Sequence, residues 1–74
     1  MKSKLHASFD TFRTGRRYRV QNYGEVYKFE VLDIMEGGDC KLKDLDTLEI
    51  FYLNDITRYG KSDDFDIDEI PDFA

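Results

Sequence analysis

The sequence predicts an all-β domain, a small five-stranded antiparallel barrel, and three observations carry that prediction. From Glu25 to Tyr59 the chain reads as β-rich runs, EVYKFEVLDIM, CKLKDL and LEIFYLNDITRY, divided by the turn EGGD and a second turn around Asp46 and Thr47. Short β-rich runs bounded by turn residues form a meander of strands. The run RRYRVQNY just before them alternates apolar and polar side chains, the period of a half-buried strand. Finally, the chain has 74 residues and 15% aromatics. A chain this short buries only about 60% of its unfolded surface, so a narrow barrel filled by a few rings suits it.

Residues 4–13 place Leu5, Phe9 and Phe12 at the i, i+4, i+7 spacing of one helical face, with Gly15 as a helix-ending residue. The expectation is a short N-terminal helix or an unpacked arm over 1–15. From Arg16 to Asn22, Tyr18 and Val20 face one side and Arg17, Arg19 and Gln21 the other, giving a strand with a basic outer face. Asn22, Tyr23 and Gly24 supply turn chemistry. The next strand, Glu25 to Met35, changes phase: Tyr27, Phe29 and Val31 share one face, then Leu32 and Ile34 take the other. A strict two-residue period cannot bury both sets on one side, so a bulge is expected near Val31 and Leu32. After EGGD, Cys40 and Leu42 alternate with Lys41 and Lys43. Leu48 to Leu53 is apolar on both sides apart from Glu49, the pattern of a covered strand. Asn54 and Asp55 cap a single turn, and Ile56 to Tyr59 is expected as the last strand, closing a barrel over 16–60. An acidic tail, KSDDFDIDEIPDFA, follows over 61–74.

This order of elements resembles the SH3-like small barrels, among them Tudor-type modules: five short strands, a long bent second strand, the tight turn EGGD, and the turn LNDI before a final strand. The chain has no Trp and no acidic-aromatic loop of the kind that binds proline-rich peptides. Tudor-type modules hold methylated side chains in an aromatic cage. The resemblance therefore implies Tyr23, Tyr27, Phe51 and Tyr52 as cage members.

Charge is unevenly spread. Residues 1–28 carry seven basic and two acidic groups, net +5, whereas residues 29–74 carry four basic and fourteen acidic, net −10. Such asymmetry marks a charged partner, or one half meeting the other. Arg16, Arg17, Arg19 and Lys28, interleaved with Tyr23 and Tyr27, form the candidate binding face: arginines meet phosphates while rings stack on bases. The net charge of −5 opposes tight nucleic-acid binding by the whole chain. The alternation Asp64-Phe65-Asp66-Ile67-Asp68 suggests instead that the tail adds a strand beside the basic first strand, of its own molecule or of a neighbour. Phe65 and Ile67 then supply the apolar contact. The bland reading is a solvated acidic tail.

Chemistry-bearing patterns are few. His6 is the only histidine and has no ligand or base partners at useful spacing. Cys40, the only cysteine, follows an acidic residue and fits a small core position. Asp64, Asp66 and Asp68 match the first, third and fifth positions of an EF-hand loop, but Glu69 stands where glycine makes the turn. No nucleophile–base pair or glycine-rich phosphate loop is present. A single cysteine forms no intrachain disulfide, and no secretory h-region or apolar span of about 20 residues is seen. The expectation is a cytoplasmic, non-catalytic protein-interaction module without cofactor or metal, as monomer or homodimer. The alternative is a nucleic-acid-binding barrel using the basic first strand and modulated by the tail.

Overall fold

A computed structural model describes residues 12–71. One five-stranded antiparallel sheet, in the order β4-β3-β2-β1-β5, makes up most of it. Strand β1 spans Arg17–Asn22, β2 Glu25–Ile34, β3 Cys40–Asp44, β4 Ile50–Tyr52 and β5 Asp66–Ile70. A short helix, α1 (Leu53–Thr57), links β4 to β5. The all-β class is as expected, but the sheet does not close: β4 and β5 are its two edges and do not pair. The predicted helix over 4–13 lies outside the described residues except for Phe12 and Arg13, and Phe12 is a core side chain.

β1 obeys its alternation, burying Tyr18, Val20 and Asn22 and turning Arg17, Arg19 and Gln21 outward. A two-residue turn joins it to β2, with Asn22 opposite Glu25. Tyr23 and Gly24 there have φ of 51° and 76°, the paired positive angles of a hairpin turn whose twist matches its strands. Glycine takes such angles freely. A bulky Tyr costs about 1–2 kcal/mol there and needs outside support.

The bulge is where the phase change demanded one. β2 pairs Val31 with Leu42 and then Asp33 with Lys41, leaving Leu32 as the extra residue. Before the bulge, Phe29 and Val31 point fully inside; Cys40 and Leu42 meet them from β3. At the EGGD turn Gly37 and Gly38 both take positive φ, which few side chains tolerate. The next turn is held by Asp44, whose carboxylate accepts the N–H groups of Asp46 (2.7 Å) and Thr47 (2.9 Å).

Two elements differ from expectation. Leu48–Leu53 yields only the short strand Ile50–Tyr52, because Leu48 sits at φ 66°, outside β geometry. The strand expected over Ile56–Tyr59 is absent: Leu53 and Ile56, three residues apart, are instead the buried face of α1. The Asp55 carboxylate accepts the Tyr52 N–H at 3.0 Å and caps that helix. The fifth strand comes ten residues later, from the acidic stretch read as a tail.

The core lies inside the bent sheet: Phe12, Tyr18, Val20, Phe29, Val31, Cys40, Leu42, Leu53, Ile56 and Ile67. Each large apolar side chain fully buried here contributes about 1.5–3 kcal/mol. Phe12 packs on Tyr18 at 4.4 Å and meets Phe29 edge-on at 5.8 Å, and Phe51 meets Phe29 edge-on at 5.9 Å.

Candidate functional site

β5 lies antiparallel beside β1, with Arg17 opposite Ile70, Arg19 opposite Asp68 and Gln21 opposite Asp66. Ile67 faces the core while Asp66 and Asp68 share the outer face with Arg19. Period two thus puts the apolar residue inside and the acids over the arginines. The Arg19 guanidinium meets Asp66 at 2.9 Å and Asp68 at 2.6 Å, and Arg16 meets Glu69 at 2.7 Å. The bond to Asp68 chiefly holds the Arg19 pKa up, burial working against it and Asp66 adding to it. The acidic stretch is therefore neither a solvated tail nor a calcium loop where it is described. Among the described residues no three His, Cys, Asp or Glu side chains converge to hold a metal ion.

This pairing rearranges the predicted binding face. Arg16 and Arg19 carry in-chain counterions, and Arg17 lies between Ile70 and Glu30 of its neighbouring strands. Ile67, 2% exposed, is a core residue and is not available to a partner. Phe65 packs against the core with the Lys61 ammonium 5.1 Å from its ring centre. Tyr27 packs with Phe51 at 6.5 Å on the core side. An aromatic cage is not assembled: Phe51 turns inward, its neighbour Tyr52 turns to the outer face, and Tyr23 stands at the hairpin tip. Of the predicted set, Arg16, Lys28 and Tyr23 remain open to solvent, Arg16 with Glu69 beside it.

Two groups of residues escaped the sequence reading. The first is a polar hub behind the β1–β2 turn. Asn22, 1% exposed, donates from Nδ2 to the carbonyls of Ile56 (3.1 Å) and Gly60 (3.0 Å). Its Oδ1 accepts the Ser62 N–H at 2.9 Å and faces Ser62 Oγ at 3.0 Å. Ser62 Oγ in turn accepts the Tyr23 N–H at 2.8 Å, and its one proton goes to Asn22 or to the Asp64 carboxylate beside it. Asp64 also accepts from Gly24 N–H (2.9 Å) and Gln21 Nε2 (3.1 Å). With Ser62 the largest influence, these donors hold the Asp64 carboxyl down to about 2. Tyr23 gives its hydroxyl proton to the Tyr59 carbonyl at 2.7 Å. The left-handed Tyr23 is thus fastened from the far side of the chain. The alternation Tyr18, Val20, Asn22 was the available signal: it aims Asn22 inward.

The second group lies on the outer face of β3 and β4. Lys43 stands between Glu30 and Ile50, and Lys41 between Asp33 and Tyr52. Ile50 and Tyr52 are 47% and 38% exposed. Among the described residues Lys28, Lys41 and Lys43 form no ion pair. Elsewhere, Arg13, Thr14, Arg16 and Glu69 line an open hollow of about 430 Å³, a polar depression whose own carboxylate offsets its arginines. Cys40 is buried, and burial first, then Asp39 and Asp33, pushes its thiol pKa up, away from the nucleophilic form. No helix among the described residues is long and apolar enough to cross a membrane.

No family model matches the chain, and neither a curated protein nor a solved structure matches it.

Proposed function

We propose that this chain is a non-catalytic protein-interaction module on an SH3-like small barrel. The strand order with β1 between β2 and β5, the helical turn before β5 and the bulge that bends β2 support the barrel reading. One observation carries the function. The acids of β5 neutralise the basic first strand, while large apolar side chains stay outside at Ile50, Tyr52, Tyr23 and Tyr59. A chain with so small a core gains from covering such residues with a partner. The free thiol of Cys40 fits a reducing, cytoplasmic setting.

A second reading, nucleic-acid binding, draws on Lys28, Lys41 and Lys43 sharing a face with Tyr52, since lysines beside an exposed ring suit a single strand. Co-purification after cross-linking in the native cell tests both. Retention of a protein that survives nuclease treatment is the expected result. Retention abolished by nuclease would replace the first reading with the second.

A further inference from the structure

From the reading as a protein-interaction module, we infer that the outer face of β3 and β4 docks an extended acidic segment of a partner protein, with apolar side chains between its carboxylates. Four observations lead there. β4 is an edge of the sheet that pairs with no further strand among the described residues. The antiparallel ladder alternates, and Asp44 N–H bonds the Glu49 carbonyl at 2.9 Å, so the N–H and C=O of Ile50 point out of the sheet toward a further strand. Along that edge Ile50 and Tyr52 present apolar surface. Behind them stand Lys41 and Lys43, which close no ion pair among the described residues although Asp33 and Glu30 stand opposite them on β2.

The molecule supplies its own template at the opposite edge. There β5, reading Asp-Ile-Asp-Glu-Ile, lies beside β1 and sets Asp66 and Asp68 against Arg19 on this same outer face. Arg19 of β1 thus closes ion pairs with its acidic neighbour strand, whereas Lys41 and Lys43 of β3, each opposite a single β2 carboxylate, close none among the described residues. Ile50 separates this face from a pure phosphate-tracking surface, because an aliphatic side chain gains nothing from a nucleotide backbone. A protein segment uses both the lysines and the isoleucine. The backbone of β4 offers the open bonds of Ile50 but not the N–H of Tyr52, which Asp55 occupies, so side chains set the specificity.

The test uses the whole chain and a labelled synthetic peptide of sequence SDDFDIDEIPDFA, which has the required alternation, in fluorescence anisotropy at low salt. Binding is expected, with amide shifts in an NMR titration of the unaltered chain centred on residues 41–52. Lys41→Glu/Lys43→Glu is expected to weaken it about tenfold or more, and 0.5 M salt likewise. Circular dichroism confirms that this variant is folded, and the shift map needs no variant. No binding at low salt overturns the inference, as do shifts centred on β1, which mean exchange with β5. Tighter binding of an oligothymidylate to the same lysines overturns it in favour of nucleic acid. Self-association of the chain through Ile50 and Tyr52 in sedimentation overturns it in favour of a second copy. If the peptide fails while a nuclease-resistant protein partner is still captured from cells, the docking face is wrong and the interaction reading stands.

Discussion

Replacing Asn22 with alanine tests whether one buried amide ties the helical turn and the fifth strand to the first hairpin. The substitution strips hydrogen bonds from the Ile56 and Gly60 carbonyls and from the Ser62 N–H, and removes a facing group from Ser62 Oγ. The bond to Ile56 is buried, so its carbonyl loses its partner at a cost of about 1–3 kcal/mol. The Gly60 and Ser62 groups are part-buried and recover water, so each costs about 1 kcal/mol. The total is about 3–5 kcal/mol. A domain of this size is stable by roughly 4–11 kcal/mol, so the variant is expected to lose a large part of its folding free energy. Urea unfolding followed by circular dichroism measures the change. Ser62→Ala alone is expected to cost about 1–2 kcal/mol, and the double variant to fall short of additivity by about 1 kcal/mol, since both side chains belong to one network. A loss below 1 kcal/mol for Asn22→Ala, or strict additivity, would refute the hub.

Three other outcomes follow from the same geometry. Ile67→Ala is expected to destabilise by about 2–5 kcal/mol in urea unfolding, because Ile67 is the side chain that β5 places in the core; a solvated tail would show no change. Asp64 has its carboxyl pKa lowered by folding to about 2, so the stability it contributes is present above the ordinary carboxylate value and is lost as pH falls through about 2. Melting temperatures of the wild type and Asp64→Asn should therefore differ at pH 5 and converge toward pH 2; a constant gap would contradict the assignment. Cys40 should resist iodoacetamide at pH 8 until denaturant is added, since burial shields the sulfur and raises its pKa; rapid labelling of the folded chain would place it outside the core.

What could be read from the sequence was whatever depends on near neighbours in the chain. The alternation of Tyr18 and Val20 with arginines, and of Cys40 and Leu42 with lysines, encodes two strands because period two is a property of the strand itself. The phase change at Val31 and Leu32 encodes the bulge for the same reason. The capped single turn read over LNDI is the start of α1, but the β-rich composition around it gave Ile56 to a following strand where its spacing from Leu53 makes it helical. Tertiary structure decided what sits beside what. The alternation from Asp64 to Asp68 already suggested a strand beside the basic first strand, of its own molecule or of a neighbour. The structure decided that the pairing is within the chain, over Asp66–Ile70, in the register that sets Asp66 and Asp68 against Arg19. The same contact engages Arg19 and leaves Lys28, Lys41 and Lys43 as cations that form no ion pair among the described residues. Whether a charge is free depends on which distant residue comes to lie next to it, and spacing along the chain does not carry that information.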